Sequence, residues 1–271
     1  MSTPHLSVQL YSVRQALGHD QDGTLARLAG LGLRNVEVFD FVHRAGELAE
    51  ALDRHGLSAR TGHAVLLSPP AHSAEGTAPA PTLEETFSAA GRLGLEMVID
   101  PFVPAARWSD EKEIARTAAL LNEAAAVAAD HGIRVGYHNH SQEFVHSFHG
   151  VDAFDLFAGQ LDPEVVLEID VFWAAAGGYD VVALLERLGS RVRALHIKDG
   201  PIVEDPFSSG APLDPATLCQ VPPGQGRVPL DAALAAAPHA TYAVIEFDHY
   251  GGDIFEGIGA AVGYLNDKGI R

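Results

Sequence analysis

Three short stretches of this 271-residue chain set two ionisable side chains two residues apart: His138 and His140, Glu168 and Asp170, His196 and Lys198. In an extended strand, residues i and i+2 share a face, so each pair presents both groups to one side. Glu37, His63, Asp100 and Glu246 add single ionisable groups at the ends of further apolar runs. Burying so many such groups without partners would cost several kcal/mol apiece. A divalent cation removes that cost by neutralising carboxylates and taking lone pairs from neutral imidazoles. A mixed His and carboxylate set with open positions suits Mn2+, Co2+, Zn2+ or Mg2+.

These groups can meet only if the elements that carry them converge. Apolar runs of strand length, rich in Val, Ile, Leu and aromatics, predict strands at Leu6–Tyr11, Asn35–Phe39, Ser58–His63, Met97–Asp100, Arg134–Asn139, Val166–Asp170, Val192–Ile197 and Tyr242–Glu246. Helices are expected between them, near 22–31, 44–55, 82–92, 110–131, 151–160, 180–188, 229–237 and 253–267. In the stretch 110–131, Ile114, Leu120, Leu121, Ala124, Ala125 and Val127 read as one apolar face, with Asp110 and Glu113 as its cap. Glycine punctuates LGLRNVEVF, HGLSARTGH, LGLEMVID and HGIRVGYHNH where a helix C-cap calls for a left-handed residue. Eight such units predict an α/β fold, a single (β/α)8 TIM barrel over residues 1–271, with the strand C-termini meeting at one mouth. An open doubly wound sheet is the alternative. No GxGxxG or GxxxxGK[ST] follows the first strand to support it. Two long loops, near 63–81 and 200–229, follow strands and belong over the mouth, as lids or as disordered segments.

Composition narrows the function. Eighteen Lys and Arg stand against 36 Asp and Glu, a net charge of −18, with no basic cluster, so neither nucleic acid nor an anionic membrane is an expected partner. Hydrophobic residues make up 47% of the chain, enough for a large core. The lone cysteine, Cys219, excludes an internal disulfide and points to the cytoplasm. MSTPHLSVQLYS lacks the basic and apolar regions of a secretory leader, and no apolar run has the length of a membrane span.

The motifs VEVFDF, RTGHAV, GYHNHSQEF, LEIDVFWAAAGGYD, ALHIKDG and VIEFD resemble strand ends of the sugar phosphate isomerase/epimerase superfamily, the xylose isomerase-like TIM barrels, from about Leu6 to about Leu265. HNHxxEF resembles its branch acting on sugars, keto-sugars or inositol-like polyols. The resemblance implies a Mn2+-like ion held by four side chains from four strands. It assigns Asp170, His196 and Glu246 as ligands. Relatives often carry Glu at the end of the fifth strand, where this chain has YHNH; His138 fits that role best by spacing, with His140 and Glu143 as competitors. It also implies a small sugar or polyol substrate and a homodimer or homotetramer.

An ion there would polarise a sugar carbonyl and stabilise the enediolate left when the neighbouring C–H proton departs. Glu246 and Glu143 are the expected proton carriers, with His140 the other candidate. Glu37, His63, Glu168, Trp173 and Lys198 are the candidate substrate contacts; Phe172 shares the stacking role with Trp173. Each has a bland reading: Lys198 pairing with Glu168, the aromatics packing, His140 and Glu143 supporting His138. Epimerisation, isomerisation and β-elimination by a lyase or dehydratase all begin with this proton abstraction. An endonuclease IV-like nuclease and a non-catalytic sugar-binding barrel are the remaining alternatives. His5, His19, His43, His55, His131 and His239 are expected on the surface.

Overall fold

The computed structural model describes residues 3–67, 80–209 and 212–271. Eight parallel strands carry the fold: β1 (His5–Val8), β2 (Asn35–Phe39), β3 (Ser58–His63), β4 (Met97–Asp100), β5 (Arg134–His138), β6 (Val166–Asp170), β7 (Val192–Ile197) and β8 (Tyr242–Ile245). From β2 to β8 each strand pairs with the next in sequence, and β8 pairs with β1. Between β1 and β2 the seam is a parallel bridge, Gln9 to Glu37, backed by the Gln9 side-chain amide donating to Glu37 Oε1 at 2.8 Å. The result is the expected TIM barrel.

Outside lie α1 (Gln21–Gly30), α2 (Ala45–Arg54), α3 (Leu83–Leu93), α4 (Glu111–Ala129), α5 (Ala153–Gln160), α6 (Val181–Leu188), α7 (Leu230–Ala236) and α8 (Ile254–Asp267). The glycines that end the helices before β2, β3, β4 and β5 (Gly32, Gly56, Gly94 and Gly132) all have positive φ, as the sequence required. On α4 the buried stripe is Ile114, Thr117, Ala118, Leu121, Ala124 and Ala128. Leu120, Ala125 and Val127 stand beside it, because the 3.6-residue period carries them round the helix. Asp110 caps that helix through the Lys112 N–H at 2.8 Å, without help from Glu113. The reciprocal capping box is instead at Thr82 and Glu85 on α3.

The pleat sorts the strand side chains. One set, including Val38, Val98, Tyr137, Leu167, Ile169, Leu195 and Ile245, packs against the helices. The inward set divides along the barrel axis. Met97, Ile99, Val166, Ala194, Tyr242 and Val244 form an apolar plug, and the ionisable residues sit above it towards the strand C-termini. Gly136 belongs to the inward set, where a Cβ would stand 3.0 Å from Val166 Cγ2 and 3.1 Å from Ile99 Cγ1.

Several elements depart from expectation, among them a short helix at Arg14–His19. β1 ends at Val8, because the Gln9 side chain accepts the Tyr11 N–H and turns the chain into a 3-10 turn at Leu10–Val13. A short helix, Val171–Ala176, follows β6 directly. A two-residue ribbon pairs Ser147–Phe148 with Val151–Asp152. Of the two long loops, residues 68–79 of the first lie outside the described residues. The second is tied down by Asp199, whose buried carboxylate accepts N–H bonds from Gly200, Gly224, Gly226 and Val228 at 2.8–3.1 Å.

Candidate active site

The spacing-two pairs project as their pleat dictates, and their side chains meet. His138 Nδ1, His63 Nε2 and His196 Nε2 all approach Glu168 Oε2, at 3.1, 2.7 and 3.0 Å. His196 Nε2 and His63 Nε2 also reach Glu37 Oε1, at 2.7 and 3.1 Å. On the pocket side, His196 Nδ1 is 2.6 Å from Glu246 Oε2 and His138 Nε2 is 3.8 Å from Asp170 Oδ2. Lys198 Nζ lies 3.0 Å from Asp170, 2.7 Å from Glu246 and 2.9 Å from Asp248. Its contact with Asp170 Oδ2 is an ion pair without a directed hydrogen bond.

Asn139, between the two histidines, faces the other way. Its side-chain amide bonds to both the N–H and the carbonyl of Asp170, at 3.0 and 3.2 Å, holding β5 to β6 where the ladder ends. Asp170 has two tasks: Oδ1 accepts the Trp173 N–H at 2.9 Å and caps helix Val171–Ala176, while Oδ2 faces the cluster.

Burial and charge pull these groups apart in proton affinity. His138 and His140 are held well below the usual histidine range, by burial first and then by the neighbouring cations. Burial also opposes a charge on His63, yet Glu37 and Glu168 outweigh it and push the ring up to about 10. His196 is raised well above its ordinary value in the same way, by Glu168, Glu246 and Glu37. Burial raises Asp170 to about 6 against the pull of Lys198. Glu246 is held well below the carboxylate range, since Lys198 and His196 overcome its burial.

The donor set fits a divalent ion. One carboxylate oxygen of Glu168 faces three imidazole nitrogens, more donors than it has lone pairs. Glu37 Oε2 and Glu168 Oε1 are buried with no hydrogen-bond partner. A tetrahedral ion with ligands at about 2.0–2.1 Å holds them about 3.4 Å apart, which lies within the 2.6–3.8 Å spread of the nitrogen–oxygen separations here. Two overlapping groups can supply four ligands: His138, Asp170, His196 and Glu246, or His63, His138, Glu168 and His196.

The cluster floors a cavity of about 1130 Å3 bordered by His63, His138, His140, Glu246 and Asp248, with Tyr11, Phe39, Phe102, Trp173 and Phe207 in its walls. His140 sits among aromatic rings, 5.2 Å from Phe102, 5.6 Å from Trp173 and 5.1 Å from Phe207, with Nδ1 unpartnered. His43, exposed as expected, also borders the cavity.

Several candidates lie elsewhere than expected. Glu143 does not join the cluster. It accepts the Tyr137 hydroxyl at 2.6 Å, and that ring packs against Trp108 and Phe157 on the outer face of β5. Glu37, Glu168 and Lys198 are buried beneath the cavity rather than in its lining, and Lys198 pairs with Asp170, Glu246 and Asp248 instead of Glu168. Phe172 packs under Gly200. Asp100 lies on the outward face of β4 and accepts the Leu66, Leu67 and Phe102 N–H groups, shaping two mouth loops. Sequence reasoning passed over Asp248, although its two-residue spacing from Glu246 in VIEFD was the signal. Gln220, which donates to Asp248 Oδ2 at 2.8 Å, carried none.

Residues 25–267 match the family model of the xylose isomerase-like TIM barrels, and the chain belongs to that family. A solved sugar phosphate isomerase/epimerase from Parabacteroides distasonis is 23% identical, covers 98% of this chain and 94% of its own, and superposes with a TM-score of 0.73. The zinc-bound IOLI protein is 18% identical, with 97% of each chain covered and a TM-score of 0.71. A probable 3-DHS dehydratase, AsbF from Bacillus anthracis, is 14% identical over 97% of this chain and 98% of that one, with a TM-score of 0.72. At these identities the likeness is one of fold. No curated protein sequence matches the chain. Among the described residues, no helix is long and apolar enough to cross a membrane.

Proposed function

We propose that this chain is a divalent-metal-dependent isomerase or epimerase of a sugar, keto-sugar or polyol, acting by proton abstraction beside a carbonyl. The observation that carries this reading is that Glu246 and His140, two side chains able to exchange protons, border one cavity together with His138, in contact with a cluster able to hold a metal ion.

In this reading Mn2+ is the ion, with His138, Asp170, His196 and Glu246 as its ligands in the reacting complex. When bound, it would polarise the carbonyl and lower the cost of the enediolate. Glu246 takes the proton. Before the ion reaches those ligands, Lys198 keeps that carboxyl ionised and aimed. The carboxylic acid so formed on Glu246 returns that proton to the adjacent carbon for isomerisation; for epimerisation His140, first protonated from solvent, delivers a proton to the other face and Glu246 releases its own to solvent. His140 takes this role over Glu143, whose carboxyl is engaged by Tyr137. Trp173 and the neighbouring rings stack on the apolar face of the sugar and exclude water, and His63 contacts a hydroxyl. The whole chain works as one domain, in the cytoplasm, as a homodimer or homotetramer. The −18 charge speaks against a nucleic-acid substrate.

The test is exchange of the substrate's α-proton with deuterated solvent, followed by NMR on a panel of keto-sugars and inososes. Wild-type protein is expected to exchange it and Glu246→Gln to lose the exchange while keeping its fold. Unchanged exchange in the variant removes Glu246 from the mechanism. An α,β-unsaturated product would assign the same first step to a dehydratase.

A further inference from the structure

His138 and His196 form a wall between two sets of acids, and each turns a different ring nitrogen to either side. On the inner side, His138 Nδ1 and His196 Nε2 face Glu168 and Glu37. On the outer side, His138 Nε2 and His196 Nδ1 face Asp170 and Glu246. A neutral imidazole has one lone pair to give and keeps a hydrogen on its other nitrogen. One ion can therefore use both rings from the inner side or from the outer side, and the two four-ligand groups are alternatives rather than a pair.

Lys198 distinguishes them. Its ammonium already lies within 3.0 Å of Asp170, Glu246 and Asp248, the acids of the outer seat and its rim. A second cation there meets like-charge repulsion in a buried setting, where it is poorly screened. Among the described residues the inner seat has no ammonium or guanidinium partner: Glu168 and Glu37 are approached by the amide of Gln9 and by imidazoles, whose ring protons an arriving ion displaces as it takes their lone pairs, whereas the Lys198 ammonium is no ligand and keeps its charge. It also holds the unpartnered oxygens Glu37 Oε2 and Glu168 Oε1. His63, which borders the cavity, closes it from above.

We propose that in the substrate-free protein the divalent ion rests in the inner seat, on His63, His138, Glu168 and His196, and that Lys198 gates its passage to the outer seat. Transfer requires the ammonium to leave Asp170 and Glu246. The inference rests on the reading that this chain binds a divalent ion and is independent of which reaction follows.

The two seats differ in imidazole count, three inside and two outside, and X-ray absorption of Co2+-loaded protein reads that count without any assay of activity. Wild-type protein without substrate is expected to give three imidazoles. His63→Gln should weaken Co2+ binding at least tenfold in calorimetry, and Lys198→Met should bring the count to two. Two imidazoles in wild-type protein, with His63→Gln binding as tightly as before, overturn the inner seat and leave the proposed reaction standing. Should Lys198→Met not fold, the wild-type count and His63→Gln decide alone. Wild-type protein that takes up no Co2+ or Mn2+ overturns the inference, and α-proton exchange in that metal-free protein then judges the reaction separately.

Discussion

Lys198 Nζ stands 2.9 Å from Asp248 Oδ2, an oxygen that also takes the Gln220 side-chain amide at 2.8 Å. Through this contact the long loop after β7 reaches the floor of the mouth. Removing the ammonium leaves Asp170, Glu246 and Asp248 facing one another without their counter-charge. Breaking a buried ion pair from one side costs about 3–5 kcal/mol, and Lys198→Met is expected to lose that much in urea unfolding with chelator present. Added Mn2+ should restore part of it, since a bound ion stabilises the folded state by mass action. A loss under about 1 kcal/mol would show that the three acids relax into water.

Much of this arrangement was readable in the chain. Period-two spacing put His138, Glu168, Asp170, His196 and Glu246 on the inward face, and apolar runs with glycine stops gave eight strands and eight helices near their observed bounds. Three kinds of residue were not legible, for distinct reasons. Glu143 lies in a 3-10 turn, where no pleat fixes direction, and the Tyr137 hydroxyl decides which way it points. Asp100 closes a strand at the odd register, so its carboxylate falls outside the barrel beside Val98. Gln220 acts through a loop whose path depends on Asp199, a contact across many residues that local pattern does not contain.

Glu143 gives the protein a pH signature. Burial pushes its carboxyl up from the ordinary 4.5 to about 8. The folded chain then holds a proton that the unfolded chain has released, so stability falls as pH climbs from about 4.5 to about 8 and is flat in this respect outside that window. One group contributes at most about 1.4 kcal/mol per pH unit. Glu143→Gln is expected to remove that share of the slope, most cleanly between pH 6 and 8, above the values near 6 of Asp100 and Asp170. Melting temperatures of the two proteins across pH 5–9 test it; parallel curves would count against the raised carboxyl.

Gly226 tests the loop anchor. A Cβ at this position would lie 2.1 Å from Asp199 Oδ1 and 2.4 Å from the Gly200 N atom. Gly226→Ala must therefore shift backbone and break the fan of N–H bonds to Asp199. Faster hydrogen exchange at Gly224, Gly226 and Val228 is the expected result, with a stability loss on the order of 1–3 kcal/mol. Exchange rates matching the wild type would mean that the loop is held by other contacts.

Trp173 borders the cavity and its indole N–H is buried without a partner. A substrate hydroxyl placed there would gain one hydrogen bond, worth about 0.5–1.5 kcal/mol. Trp173→Phe keeps an aromatic wall and removes the donor. It should raise KM roughly two- to twelvefold with kcat little changed, the pattern of a contact made equally in ground and transition states. A drop confined to kcat would place the indole at the reacting atoms instead.

Asp170 serves two clients with one carboxyl, the first turn of helix Val171–Ala176 and the cationic side of the cluster. Any drift of this barrel towards new chemistry meets a bottleneck there. Alanine would sacrifice scaffold and electrostatics together, whereas asparagine keeps the helix start and surrenders only the charge. The route to a repurposed pocket therefore runs through amide substitution at this position, or leaves it untouched and remodels the aromatic rim.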